Sequence, residues 1–250
     1  MGRFLNSFYL AFANPGLSII AEKLKIEFDF LIEAGCHDGS DTLNFLENTK
    51  VALIFAFEPD GTAAQVAQTN FNKFPDRVIF KRIALLDTPG WAGVYSPTGV
   101  EGDGSTIFRK LTENEFATLG TESSTQVSTL DLEIETELST GALWLDVEGS
   151  AHLVISGGLK TLQKLQICQI EVDMHPTSNQ RQANYFKVHE LMKKNGFVLY
   201  CAPLHPGYFG DAIYIRCKTF DFKTRIRATS LRYLMKLLHG YVYPCLGKPV

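Results

Sequence analysis

Short runs of β-branched and aromatic residues alternate with amphipathic segments of helical length along most of this chain, and that alternation leaves few folds open. Candidate strands are Phe28–Ala34, Ala52–Phe57, Arg77–Ala84, Ala142–Val147, Leu165–Val172, Phe197–Cys201 and Ala212–Cys217. Candidate helices are Asp38–Glu47, Gly61–Phe71, Ala151–Lys164 and Arg181–Asn195, the last closed by Gly196. Strand, helix and strand in succession build a right-handed crossover, so the expectation is an α/β fold with a mostly parallel sheet and helices on both faces. Leu53-Ile54-Phe55-Ala56-Phe57 and Ala142-Leu143-Trp144-Leu145 read as continuous apolar runs, as strands covered on both faces must.

At 250 residues the chain is long enough for one large core. With 45% hydrophobic and 20% charged residues and a net charge of -3, it is neither disordered nor built for nucleic acid, and no nucleic-acid partner is expected. No run of 18 or more apolar residues occurs, so no membrane-spanning helix is expected. The five cysteines have no metal-finger spacing, which fits a reducing, cytoplasmic setting. Three parts are expected: a helical extension over residues 1–26, a main domain over 27–217, and a basic amphipathic tail over 218–250. Within the main domain, residues 96–125 are rich in Gly, Ser, Thr and Glu and read as an insertion or mobile cover.

Four carboxylates, Glu33, Glu58, Asp146 and Glu171, fall at the carboxyl ends of candidate strands, where open α/β sheets place their ligands. The first belongs to Glu33-Ala34-Gly35-Cys36-His37-Asp38-Gly39, a glycine turn between strand and helix. Glu58, about two dozen residues beyond that turn, stands where an acid accepts hydrogen bonds from ribose hydroxyls. Neither a GxGxxG fingerprint nor a GxxxxGK[ST] loop is present. An adenosine-containing ligand with a cationic sulfonium instead of a pyrophosphate accounts for the missing phosphate-binding residues.

Taken in order, the turn from Glu33 to Gly39, Phe57-Glu58-Pro59-Asp60, Ile83-Ala84-Leu85-Leu86-Asp87, Gly104-Ser105-Thr106, Val127-Ser128-Thr129-Leu130-Asp131, Leu145-Asp146-Val147-Glu148-Gly149, Ile170-Glu171-Val172 and Gly196-Phe197 form a recognisable series. Over roughly residues 28–216 the chain resembles the FkbM-type S-adenosylmethionine-dependent methyltransferases. The resemblance implies a Rossmann-like class I methyltransferase fold, a seven-stranded sheet with its last strand antiparallel. It also implies methyl transfer to hydroxyl oxygens, often on sugars or polyketide-like products. By position, Gly35 and Gly39 line the cofactor, Glu33 sits near its methionine end, Glu58 binds ribose, Ala84 flanks adenine and Asp146 faces the reacting centre. The chain departs from the usual pattern at Trp144, where a lysine is common, at Ala151, where a glutamate is common, and at Cys36-His37-Asp38 in the turn.

An aliphatic hydroxyl benefits from a base as its proton leaves, and Asp146, Glu148 and His175 are the candidates. Asp146, Glu148, Glu171 and His175 are also the set that would hold magnesium or manganese, since oxygen-rich ligation suits those ions. His152 and His37 read as surface, capping or loop residues, and Trp91 and Tyr95 as packing an added strand.

In the tail, Ile226, Leu231, Tyr233, Leu234, Leu237 and Leu238 fall on one helical stripe with Arg225, Arg232 and Lys236 off it. Such a helix docks on the domain or lies peripherally on an anionic membrane. The leading functional expectation is O-methylation of a saccharide or related small metabolite. The rival is a non-catalytic cofactor-binding or membrane-associated assembly protein acting through the tail, and an acceptor nitrogen or carboxylate remains open.

Overall fold

The computed structural model describes residues 16–95, 106–108, 122–173, 185–202 and 209–217. Strands β1 (Phe30–Ala34), β2 (Leu53–Phe57), β3 (Val78–Lys81), β8 (Gly141–Leu145), β9 (Leu165–Asp173), β10 (Phe197–Cys201) and β11 (Phe209–Arg216) form one sheet in the order β10-β11-β9-β8-β1-β2-β3. All neighbours are parallel except β11, which runs antiparallel between β9 and β10. This is the seven-stranded, mostly parallel arrangement that the resemblance implied.

Helices α1 (Leu17–Leu24), α2 (Ser40–Asn48) and α3 (Gly61–Phe71) cover one face, and α4 (Leu130–Glu133), α5 (Ala151–Ser156) and α6 (Tyr185–Lys194) the other. Because strand side chains alternate, each strand contributes to two cores. Leu31, Ile54, Ala142, Ile167 and Ile213 pack under Ile20, Phe45, Leu46 and Ala67. Ile32, Phe55, Leu143, Ile170 and Tyr214 pack under Val154, Ile155, Val188 and Met192.

Local chemistry sets the helix ends. Asp60 caps α3 by accepting from the Thr62 and Ala63 N–H groups at 2.9 and 3.0 Å. Asp38 accepts from the Ser40 N–H and hydroxyl at 2.9 and 2.6 Å at the start of α2, which holds its carboxyl below the usual range. Gly196, at φ 85°, follows α6 as expected.

Four expectations are corrected. The single strand Arg77–Ala84 is two: β3 stays in the main sheet, whereas β4 (Ala84–Leu85) pairs with β7 (Glu122–Ser128) in a second sheet ordered β4-β7-β5-β6. That sheet also holds β5 (Gly90–Tyr95) and β6 (Thr106–Phe108), so the described parts of the expected insertion are strands. Their Ser/Thr-rich sequence lacks a strong apolar signal because alternate side chains such as Ser124 and Gln126 face out. Trp91 on β5 is 77% exposed, so it does not fill the packing role expected of it.

The helix expected over Ala151–Lys164 stops at Ser156. A side chain on Gly157 would lie 2.2 Å from the Leu86 carbonyl oxygen, and one on Gly158 2.6 Å from Leu130. The glycine pair thus lets the chain pass close against α4 before a 3-10 turn at Thr161–Lys164. His152 is buried rather than superficial, and burial lowers its pKa to about 4, leaving the ring neutral. The expectations for residues 1–15, for His175 and for the tail from 218 onward fall outside the described residues.

At the carboxyl end of β1, Gly35 adopts φ 83°, and a Cβ there would lie 1.7 Å from the Asp146 carbonyl oxygen. Left-handed backbone costs a side chain about 1–2 kcal/mol before any clash. Gly35→Ala is therefore expected to destabilise by ~3 kcal/mol or more, lowering Tm by roughly 6–12 °C in a domain of this size. Differential scanning calorimetry checks this, and a shift under 2 °C would show that the two backbones separate easily.

Candidate functional site

The turn after β1 is built by three strands. The Asp146 N–H donates to Ala34 O at 3.0 Å, and the Gly35 and Cys36 N–H groups donate to Phe57 O at 2.9 and 3.1 Å. Gly39 has φ 79°, and a Cβ there would press on the Phe71 ring at 2.5 Å. Both glycines are thus demanded by the chain's own packing, and the close turn they permit ends at the amino terminus of α2.

Glu33 lies beneath this turn. It is 3% exposed, and its Oε2 accepts from the Thr42 hydroxyl of α2 at 2.5 Å. Burial raises its pKa to about 8, partly offset by the Thr42 bond and reinforced by Asp41 and Asp146. Glu58 is also buried, with Oε2 accepting from the His37 N–H at 2.9 Å and Oε1 from the Asp60 N–H at 2.8 Å. Burial pushes its pKa up while those two N–H groups pull it down. Glu58 thus joins the two loops that flank the cofactor position expected from sequence, and it holds His37 at φ 50°.

Asp146, Glu148 and Glu171 converge. One carboxylate oxygen from each lies within 4.8 Å of the others at the carboxyl edge of β8 and β9. Asp146 and Glu148 come together after the strand has ended, because Glu148 and Gly149 adopt φ 47° and 86° and fold the segment back. Burial, with Asp146, Glu148 and Asp211 adding negative charge, raises the pKa of Glu171 to about 8. Ala84 is 1% exposed and packs with Leu86 and Val127, so its methyl faces a small core, not an open surface.

The sequence reading missed a polar chain beside this edge. The Leu17 N–H donates to Gln169 Oε1 at 2.7 Å, and Gln169 Nε2 donates to Asp211 Oδ2 at 2.9 Å. Gln169 pairs in register with Trp144, and Asp211 with Glu171. The second of the two glutamines in Leu165-Gln166-Ile167-Cys168-Gln169-Ile170, followed at once by the apolar Ile170, was the available signal, since a buried amide needs partners.

A glycine turn under a buried acid, a second acid tying the next loop, and a carboxylate cluster at the same sheet edge set the context for the comparisons. The Methyltransferase FkbM domain model matches residues 33–199. The chain belongs to the FkbM methyltransferase family. It is 31% identical over 152 residues to the 2-O-methyltransferase NoeI of Sinorhizobium fredii, a match that covers 56% of this chain and 62% of that protein. The match therefore spans less than two thirds of that relative's length.

Among solved structures, an S-adenosylmethionine-dependent methyltransferase from Clostridium acetobutylicum has a TM-score of 0.46 at 7% identity, covering 80% of this chain and 88% of that one. The ribosomal protein L11 methylase of Lactobacillus delbrueckii subsp. bulgaricus has a TM-score of 0.43 at 8% identity, covering 80% and 76%. Within this FkbM domain, Trp144 faces the α1/α2 side of the sheet with Leu31, and Ala151 is buried at the start of α5.

The raised pKa of Glu33 makes stability depend on pH. The folded state holds the proton more tightly than the unfolded chain, so the contribution is complete below the unfolded carboxyl value and is lost as pH rises through about 8. Between pH 5.5 and 8.5 the unfolding free energy of the native protein should fall by on the order of 1–3 kcal/mol more than that of Glu33→Gln. Urea denaturation at both pH values measures the difference, and parallel losses in the two proteins would remove Glu33 as the cause.

Proposed function

We propose that this FkbM domain transfers a methyl group from S-adenosylmethionine to a hydroxyl oxygen of a saccharide or related small metabolite. The observation that carries the reading is the convergence of Asp146, Glu148 and Glu171 at the sheet edge next to the Gly35–Gly39 turn. Family membership and the name of the Sinorhizobium relative support the reaction class.

The donor set fits that cofactor. Glu58 has carboxylate lone pairs beside its two backbone bonds to accept ribose hydroxyls, and the surrounding carboxylates favour a cation. When bound, S-adenosylmethionine supplies an activated sulfonium methyl that passes to an oxygen nucleophile. Glu58 would hold the ribose, the Gly35–Gly39 turn would carry the methionine end over Glu33, and the segment at Ala84 would border adenine through its backbone.

The remaining work is positioning and proton removal. Alignment of donor and acceptor supplies roughly 7–11 kcal/mol of such a barrier. The carboxylate cluster receives the hydroxyl proton, and Glu171, whose pKa is raised to about 8 by burial and neighbouring negative charge, serves as a base in its deprotonated form. This extends the base candidates beyond Asp146, Glu148 and His175. The same three residues belong to the magnesium or manganese set expected from sequence, whose fourth member, His175, lies outside the described residues, and a chelator separates direct proton transfer from metal assistance.

Glu58→Ala is expected to weaken S-adenosylhomocysteine binding at least tenfold, since each hydrogen bond to a charged group is worth about 1.5–3 kcal/mol. Calorimetry on the folded variant reads this directly, and unchanged affinity would remove the ribose assignment. Glu171→Gln should lower kcat by ~10²-fold or more while leaving S-adenosylhomocysteine affinity within about threefold. Turnover unaffected by EDTA is the expected companion result, and abolition restored by magnesium would transfer the triad's role to a metal.

A further inference from the structure

Gln169 is a buried amide on β9 with both ends engaged. Its Oε1 accepts from the Leu17 N–H at 2.7 Å, and its Nε2 donates to Asp211 Oδ2 at 2.9 Å. The chemistry of the first partner fixes which end is which. A backbone N–H can only donate, so the amide oxygen has to face α1, and the NH2 group is then turned to β11. Leu17 opens α1 and is 2% exposed, so its N–H has neither an intrahelical partner nor water, and Gln169 supplies the acceptor.

Strand register shows what the donor end does to Asp211. Across the antiparallel β9–β11 pair, Glu171 stands opposite Asp211, and Gln169 opposite Ile213. Directly opposed residues in such a pair have Cβ atoms about 4.5–5.5 Å apart, whereas diagonal neighbours are roughly 7–8 Å apart. Asp211 nevertheless bonds to the diagonal Gln169, one pleat back from the carboxyl edge. Glu171 leans to the strand on its other side, β8, where it shares a hydrogen bond with Asp146 and joins the cluster completed by Glu148.

We propose that Gln169 is a positioning residue for methyl transfer: its amide draws Asp211 back toward α1 and so leaves Glu171 to Asp146 and Glu148, where the hydroxyl proton is taken up. The inference rests on the methyl-transfer reading above and extends the machinery to α1, which reaches the cluster through Gln169 and Asp211. Without the amide, the carboxylate of Asp211 loses a donor, and the residue directly across the ladder is Glu171. A carboxyl–carboxylate pair between those two takes Glu171 out of the cluster, although every group of the cluster is still present.

Reversing the polarity of the Gln169–Asp211 bond separates positioning from packing. In Gln169→Glu a carboxylate still accepts from the Leu17 N–H at the positive end of α1, so the helix keeps its anchor. That carboxylate has nothing to donate to Asp211, and the two acceptors repel. Adding Asp211→Asn supplies a donor from the β11 side and remakes the bond in the opposite sense.

The full-length native protein, Gln169→Leu, Gln169→Glu, Asp211→Asn and the double variant Gln169→Glu/Asp211→Asn are compared by crystallography at a single pH and by calorimetry with S-adenosylhomocysteine. Turnover is followed as S-adenosylhomocysteine formed from S-adenosylmethionine, with glycerol and neutral chito-oligosaccharides as acceptors. Gln169→Glu is expected to lower kcat about tenfold or more in the native background and less than about threefold in the Asp211→Asn background. S-adenosylhomocysteine affinity should stay within about twofold throughout, a split that general loosening of the fold does not produce. In the crystals of Gln169→Leu and Gln169→Glu, Asp211 should be hydrogen-bonded to Glu171, and in the double variant Glu171 should return to Asp146.

An equal loss of kcat from Gln169→Glu in both backgrounds would overturn the proposal. So would crystals of Gln169→Leu or Gln169→Glu in which Glu171 still meets Asp146 and Asp211 has not moved. Failure of the native protein to bind S-adenosylhomocysteine would instead remove the methyl-transfer reading, and the crystal structures would still decide whether Gln169 sets the pairing of the carboxyl groups.

Discussion

Two pieces of backbone approach too closely at the site to admit a side chain: Gly35 lies against the Asp146 carbonyl where β1 and β8 end. Everything chemical in this protein is placed with respect to that approach. It brings the β1 turn, the β2 loop and the Asp-Val-Glu-Gly segment to one edge, tied by N–H groups that Phe57 O and Ala34 O receive. A side chain at Gly35 would push the carboxylate cluster away from the turn. The sheet order makes this possible, because β1 and β8 are neighbours in space although more than a hundred residues separate them in sequence.

Around that contact the protein concentrates negative charge and keeps part of it protonated. Glu33 and Glu171 both titrate near 8 because burial disfavours their charged forms and neighbouring carboxylates add to the effect. Such an edge is suited to a cationic ligand, which favours the ionised form of the carboxylates around it.

Much of the fold was legible because periodicity and punctuation are local properties. The continuous apolar runs at Leu53–Phe57 and Gly141–Leu145 mark buried strands, and Gly196 marks the end of a helix. Where tertiary packing overrode local pattern, the reading failed. The chain leaves the main sheet between Lys81 and Ala84 to start a second one, and Gly157 and Gly158 end α5 because Leu86 and Leu130 need their space. His152 read as superficial because nothing in its immediate sequence reveals that α5 turns that side inward. Of the candidate site, Glu33, Gly35, Gly39, Glu58, Asp146 and Glu171 were visible as glycines and acids at strand ends, whereas the Leu17–Gln169–Asp211 chain was not.

The amino-acid sequence by itself determined the α/β class, the elements that alternate along it, the glycine turn and the acidic residues at the carboxyl edge. These follow from side-chain alternation, glycine's freedom at positive φ and the placement of charge at strand ends, all readable within a few residues. Only the tertiary structure decided which carboxylates meet and which are buried enough to hold a proton at neutral pH. Those properties depend on distances between segments far apart in the chain and on what excludes water from them, and neither is written in any local stretch of sequence.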